Sequence, residues 1–120
     1  MGAYRVDAVT LDELEVRYAP APDFIKIDVE GHEPAVLRGG KRLISSRLPL
    51  IEFEALDATA PRSSLAVLQD LGGGRYRFYR ILHDGSLAPA EAAQEHASTC
   101  NYVALTESHR PRFEGVRLDD

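Results

Sequence analysis

Cysteine and long apolar runs are scarce or absent in this chain, and each of these features argues against a class of protein. Among 120 residues there is one cysteine and no tryptophan. Cys100 has no second cysteine to pair with, which favours a reducing compartment, so we expect a cytoplasmic protein. No apolar run approaches the roughly 20 residues that a membrane-spanning helix requires. The N-terminal residues also lack the apolar core of a signal peptide. We therefore expect no membrane association.

Basic residues are also fewer than acidic residues, with 14 lysines and arginines against 19 aspartates and glutamates. The formal net charge is −5 and no run of lysine or arginine offsets it, whereas domains that bind nucleic acid usually carry a basic stripe. We therefore expect no nucleic-acid partner. The length suits one hydrophobic core rather than two. The sequence predicts a single domain over residues 1–120, with residues 107–120 as a loosely ordered tail.

Strand and helix patterns alternate along the chain. Strands are predicted from period-two alternation or short apolar runs at residues 4–9, 24–29, 50–54, 75–82 and 99–106. Helices are predicted near residues 10–14, from 34 to 38, over 41–46 and from 63 or 64 to 71. Residues 87–98 read as a loop with a helical turn. Strands joined through helices indicate a parallel α/β sheet. The last two strands lack a long helix between them, so we expect that pair to be antiparallel.

The most informative segment is residues 23–34, an apolar strand that runs into acidic residues, a glycine and a proline suited to a first helical turn. Asp28 and Glu30 therefore lie at the carboxyl end of a strand, where open α/β sheets place their ligands. His32 follows closely enough to reach the same rim. If strand 50–54 is a parallel neighbour, Glu54 joins this rim as well.

Structural explanations of these residues remain open. Lys26 could neutralise one of the acids as an ion pair, His32 could be a solvated loop residue, and Glu33 could be the acid that favours a helix N-terminus. The carboxylates at the rim could also ligate a divalent metal and support a hydrolase. No histidine pair at ligand spacing accompanies them, which disfavours that alternative.

A family resemblance is carried by several segments together. They are residues 9–14 (VTLDEL), 24–33 (FIKIDVEGHE), 36–40 (VLRGG) and 49–54 (PLIEFE), with a looser match at 101–105 (NYVAL). The set resembles the C-terminal half of an FkbM-type methyltransferase domain. The first half of the chain resembles the family well, and the second half does so loosely.

The resemblance implies a partial Rossmann-like methyltransferase sheet, strands four to seven, mostly parallel with an antiparallel last pair. It implies S-adenosylmethionine as cofactor and methyl transfer to a hydroxyl of a small molecule such as a sugar or natural product. Asp28, Glu30 and His32 are then the candidate catalytic residues, and Asp28 and Glu30 also the candidate cofactor-binding residues. No metal is implied.

The resemblance also implies family elements that this sequence does not contain. The family's first strand, its glycine-rich cofactor loop and the acid that binds the ribose are expected before Tyr4, and the sequence does not supply them. The chain is then a fragment, an enzyme completed by a partner, or an inactive relic. We expect a homodimer contact or a completing chain at the exposed edge of strand 24–30. The alternative is a non-catalytic α/β module that associates with a partner through this edge.

Overall fold

The computed structural model describes residues 2–18, 20–55, 63–90 and 100–118. Its helices and strands are α1 Leu11–Arg17, β1 Phe24–Ile27, α2 Glu33–Arg38, α3 Lys41–Arg47, β2 Leu50–Ala55, α4 Ser64–Leu71, β3 Arg77–Ile81, β4 Leu87–Pro89, β5 Cys100–Leu105 and a 3-10 helix Glu107–Phe113. No helix in these ranges is both long and apolar enough to cross a membrane.

The strands form one open sheet in the order β1-β2-β5-β3-β4. β1 and β2 pair in parallel, while β5 pairs antiparallel with both β2 and β3. β1, β2 and β3 therefore run in the same direction, but β5 is inserted between β2 and β3, so β1–β2 is the one parallel ladder among the described strands. The prediction of an α/β sheet compatible with a partial Rossmann-like fold is confirmed, as is the antiparallel pairing of β3 with β5.

Local capping signals fix where the helices begin. Thr10 accepts a hydrogen bond from the backbone N–H of Glu13 at 3.1 Å, and Ser63 accepts one from the N–H of Ala66 at 3.2 Å. Both residues serve as N-caps, which satisfy N–H groups that have no partner inside the helix. The predicted helix starts at residues 10 and 63 are therefore confirmed.

The α3 helix lacks a cap of its own, because Gly40 precedes it and has no side chain. Asp12 of α1 takes this role from 30 residues away. Its carboxylate accepts hydrogen bonds from the backbone N–H groups of Arg42 at 3.0 Å and Leu43 at 2.8 Å. In return, the Asp12 N–H donates to the carbonyl of Gly39 at 3.0 Å. These bonds hold α1 against the α2–α3 junction.

Both faces of the sheet bury apolar side chains, as expected from the alternation of residues along a strand. Ile51 and Phe53 of β2 pack with Leu37, Ile44 and other helix residues in the larger cluster. The opposite face holds a smaller cluster with Leu50, Val103 and Leu105, against which residues of the C-terminal segment pack. The sheet is thus a central layer covered mainly by α2, α3 and α4 on one side.

The expectation of a strand at residues 4–9 is wrong. Residues 2–10 have no regular secondary structure, and Tyr4 and Val6 are 92% and 86% exposed. An alternating pattern forms a strand only where a neighbouring edge supplies hydrogen bonds and a surface to bury one face. No described strand lies beside this segment.

The C-terminal part differs from expectation in two places. Leu87–Pro89, expected to be loop, forms β4 against β3. Residues 107–113 form a 3-10 helix in which His109 is buried, and Leu118 bridges to Leu87. The structure thus differs here from the expectation of a loosely ordered tail. Residues 91–98 of the loop expected at 87–98 and the Cys100 side chain lie outside what the structure describes.

Candidate functional site

The candidate site is the turn that joins β1 to α2. β1 ends at Ile27, earlier than the predicted residue 29, and the chain then turns sharply. Glu30 has a positive φ of 48° and Gly31 one of 96°. A positive φ is natural for glycine but costs an L-residue such as Glu30 of order 1–2 kcal/mol. Because the backbone is no longer extended here, Val29 does not join the buried face and is 38% exposed.

Glu33 holds this turn in place. Its side chain is 3% exposed, and its two carboxylate oxygens accept hydrogen bonds from the backbone N–H groups of Val29 at 3.0 Å and Gly31 at 2.9 Å. The two bonds flank Glu30 and fix its left-handed conformation. Glu33 is therefore the residue that shapes the turn, and not only an acid at the start of α2.

The electrostatics of Glu33 agree with this geometry. Burial alone raises the pKa of its carboxyl, but the backbone hydrogen bonds from Val29, Gly31 and its own N–H lower it, as does the nearby His32. The pKa of Glu33 lies below its ordinary value as a result. The folded turn therefore favours the ionised carboxylate, which is the form that accepts both bonds.

The three side chains that the sequence singled out are all presented outward by this turn. Asp28, Glu30 and His32 are exposed, and their side chains make no hydrogen bond within the described part of the protein, although the backbone of His32 bonds to Val29 and Val36. His32 is at the N-cap position of α2 but makes no capping bond with its side chain. The turn thus brings two carboxylates and an imidazole to the carboxyl end of β1, free to contact a ligand.

Glu54 and Lys26 relate to this turn differently. Ile27 pairs with Phe53, so Glu54 follows at the same end of the sheet, half-buried in β2. Within residues 2–18, 20–55, 63–90 and 100–118, no group of three acidic, histidine or cysteine side chains is arranged to hold a metal ion. The structure therefore offers no support for the metal-dependent alternative. Lys26 pairs across the ladder with Glu52 and forms no ion pair with Asp28 or Glu30 among the described contacts.

The turn also restricts which ligand chemistry it suits. An anion-binding turn needs free backbone N–H groups, but Glu33 occupies those of Val29 and Gly31. What remains exposed are the side-chain acceptors of Asp28 and Glu30. The turn is accordingly suited to a cationic group or to hydroxyl donors, and unsuited to a phosphate or carboxylate.

Comparison with known proteins identifies the family. The family model described as "Methyltransferase FkbM domain" matches residues 1–78, more than half of the 120-residue chain. The chain belongs to the FkbM methyltransferase family. No curated protein and no solved structure matches the chain. The matched residues include α1, the β1–α2 turn, α3, β2 and α4, so the candidate site lies inside the FkbM match.

β1 is the edge strand of the FkbM domain in the described residues, because it pairs with β2 on one side and with no described strand on the other. Phe24 on this strand is 52% exposed. An edge with unpaired backbone groups and an exposed aromatic side chain can accept a further strand. The candidate turn emerges directly from this edge.

Glu33 is the functional-site residue whose role the sequence did not reveal. One signal was present: an acid two residues after the glycine and directly before a proline at the start of a helix. That signal does not distinguish an exposed helix-start acid from a buried one. The distinction depends on how α2 packs against the sheet, which places Leu37 and Glu33 inward together.

Proposed function

We propose that this FkbM domain binds S-adenosylmethionine and takes part in methyl transfer to a hydroxyl oxygen of a small molecule, such as a sugar or natural product. The observation that carries the proposal is the strained conformation of Glu30, held by the two hydrogen bonds of Glu33. Strained non-glycine residues concentrate at functional sites. Here the strain presents an acidic side chain at the strand end where α/β folds bind ligands.

The proposed cofactor fits the chemistry of the turn. The amino group of its methionine portion and its sulfonium are cationic, and the exposed carboxylates of Asp28 and Glu30 would hold them by charge. When bound, the cofactor supplies an electrophilic methyl group on a positively charged sulfur. The described residues offer one wall of such a site, since Asp28, Glu30 and His32 all lie on the exposed surface of the turn.

The acceptor side of the reaction needs orientation and a base. An acceptor hydroxyl becomes a better nucleophile when a positioned group takes its proton. We assign this role to His32 and Glu30, although the carboxylate of Asp28 is also a base within the same turn. Because the turn is rigidly held, it can also keep the hydroxyl oriented, which lowers the entropic part of the barrier. In this proposal Asp28 and Glu30 hold the cofactor, and Glu30 and His32 also serve the acceptor.

We place this chain at strands four to seven of the family's sheet. β1, β2 and β3 would be the fourth, fifth and sixth strands, and β5, inserted antiparallel between β2 and β3, the seventh. The glycine-rich cofactor loop would then come from polypeptide that pairs with the free edge of β1. This edge adjoins the turn, so a strand added there would bring its own carboxyl end beside Asp28.

The test is calorimetric titration of the purified chain with S-adenosylmethionine and S-adenosylhomocysteine. We expect saturable binding that weakens at least about tenfold in Asp28→Asn, since one charge-assisted contact is lost. Glu30→Gly should also weaken methyl transfer while keeping or raising stability, because glycine adopts φ 48° without strain. Asp70→Asn, an exposed acid on α4, is the matched control and should bind as wild type does. Absence of saturable heat at several temperatures would contradict cofactor binding by this chain alone.

A second candidate is a non-catalytic module that pairs with another copy through β1. The specific observation in its favour is the unpaired β1 edge with Phe24 and Val29 exposed beside it. Sedimentation analysis tests it: Phe24→Lys should shift a dimer to monomer because lysine blocks edge pairing. Val16→Lys, on the exposed surface of α1, is the control. A dimer that persists in Phe24→Lys, or a wild-type monomer that binds the cofactor, would overturn the proposal of a non-catalytic module.

A further inference from the structure

A cavity lies at the opposite end of the sheet from the candidate site. It has a volume of about 490 Å³ and lies beside Asp23, Leu48 and Pro49, the residues that precede β1 and β2. Its other wall is the 3-10 helix that follows β5, which supplies Ser108, His109 and Arg112 to the lining. Pockets for small molecules commonly have volumes of about 300–1,000 Å³. The strand β1 separates this cavity, which we call the lower pocket, from the turn at residues 28–32.

His109 gives the lower pocket an unused hydrogen-bond donor. The residue is 6% exposed, and its Nδ1 accepts a hydrogen bond from the backbone N–H of Thr106 at 2.9 Å. Nδ1 is therefore an acceptor, and in the neutral ring the proton is on Nε2. No group in the described part of the chain accepts a hydrogen bond from Nε2, and the ring lines the cavity.

The charge state of His109 fits this assignment. Burial lowers the pKa of its imidazole, the guanidinium of Arg112 lowers it further, and Asp23 partly offsets both. The pKa therefore lies below its ordinary value of 6.5. At neutral pH the ring is uncharged, with Nε2 as a single fixed donor.

The remaining charges of the lower pocket are mainly positive. Arg47 and Arg112 line it, against the single carboxylate of Asp23. Arg112 is 3.3 Å from that carboxylate, whereas Arg47 has no ion-pair partner within the described ranges. Two guanidinium groups against one carboxylate leave a local positive charge, in a chain whose net charge is −5. A guanidinium recognises carboxylate and phosphate groups through paired N–H donors.

The rest of the lining is apolar. Pro20, Pro22, Leu48 and Pro49 contribute to the walls, and the backbone around them is fixed. Leu48 ends α3 with a positive φ of 49°, and the carbonyl of Pro49 accepts a hydrogen bond from the Tyr76 hydroxyl. The lower pocket thus combines rigid apolar walls with donors at one end.

We propose that the lower pocket is a binding site for a small organic molecule with an oxyanion head, a carboxylate or a phosphate, held by Arg47, Arg112 and the Nε2–H of His109. The apolar walls contact the body of that molecule. The site is separate from the proposed methyl-transfer site and does not depend on it. The lower pocket is suited to a carboxylate or phosphate group, to which the β1–α2 turn is unsuited.

The test uses NMR of the histidine ring signals during titration at constant ionic strength. Inorganic phosphate, acetate and benzoate are the probes, and sodium chloride is the reference. We expect a saturable shift of the His109 signals with at least one of the three. Saturation by phosphate alone would identify a phosphate head, and saturation by benzoate more tightly than acetate would identify a carboxylate with an apolar body.

Variants distinguish the lower pocket from general charge effects. Arg47→Gln, at an exposed position that should tolerate glutamine, is expected to weaken binding at least about tenfold. Arg38→Gln, an exposed arginine on α2, should leave binding within about twofold, since surface charges away from a site contribute little. Unsaturable shifts with all three probes, or equal affinity in Arg47→Gln and wild type, would overturn the proposal. A thermal unfolding scan of each variant verifies that the fold is intact.

Discussion

Replacing Glu33 by glutamine tests whether one buried carboxylate fixes the candidate site. The wild-type carboxylate accepts two backbone N–H bonds, from Val29 and Gly31. Glutamine keeps one acceptor oxygen, but its NH₂ group must face the second N–H, which then has no acceptor. Losing a hydrogen bond to a charged group costs about 1.5–3 kcal/mol, so we expect Glu33→Gln to lower the free energy of unfolding by about 2 kcal/mol.

The pH dependence of this loss supplies a second, independent signature. The pKa of Glu33 is lower in the folded protein than its ordinary value of 4.5, so the ionised carboxylate stabilises the fold at neutral pH. That contribution is present above the unfolded-state pKa and is lost as the pH falls through the folded-state pKa. Glutamine does not titrate. The difference in stability between wild type and Glu33→Gln should therefore shrink as the pH is lowered below about 4.5.

The assay is urea denaturation at pH 7 and at several acidic pH values, combined with amide hydrogen exchange. The matched control is Glu13→Gln, at an exposed acid that also lies in the first turn of a helix, α1, but whose side chain makes no buried hydrogen bond. We expect faster exchange at Val29 and Gly31 in Glu33→Gln alone. The reasoning is refuted if Glu33→Gln unfolds within about 0.5 kcal/mol of Glu13→Gln, the range typical of surface substitutions, with exchange unchanged.

Two further predictions concern bonds that join distant segments. Tyr76→Phe removes the buried hydroxyl that donates to the Pro49 carbonyl at 2.5 Å. In thermal or urea unfolding, the free energy of unfolding should fall by about 1–1.5 kcal/mol. Tyr4 is 92% exposed, so Tyr4→Phe should leave the free energy of unfolding unchanged. Asp12→Ala removes the acceptor for the first N–H groups of α3. It should cost about 1 kcal/mol in urea unfolding, as loss of an N-cap does, whereas Asp7→Ala at an exposed position should be neutral; equal stability of the two variants would disprove the capping role.

The elements with strong local signals could be read from the sequence. Residues 24–27 and 50–55 are rich in aliphatic and aromatic side chains, and each segment begins next to a proline or a turn. Ser63 and Gly72 mark the limits of α4 because a hydroxyl cap and a glycine act within a few residues of their own position. Such signals work through neighbouring residues, so no knowledge of the tertiary fold is needed.

The candidate site was predicted only in part. The sequence shows the end of a strand followed by a glycine, which predicts a turn at this point. Asp28, Glu30 and His32 could therefore be placed together at that turn from the sequence alone. The buried carboxylate beneath them could not. Glu33 and Glu13 both lie in the first turn of a helix, yet one is 3% exposed and the other is on the surface. Which of the two is buried depends on the packing of α2 against the sheet.

The sequence by itself determined the family, most of the helices and strands between residues 11 and 81, and the acidic turn after β1, because each of these depends on residues close together in the chain. The tertiary structure alone decided that residues 4–9 have no strand to pair with and that β5 inserts between β2 and β3. It also decided that segments near residues 22, 48 and 109 enclose one pocket. These outcomes depend on hydrogen bonds and buried surface shared by segments far apart in sequence, and a local pattern cannot specify its distant partner.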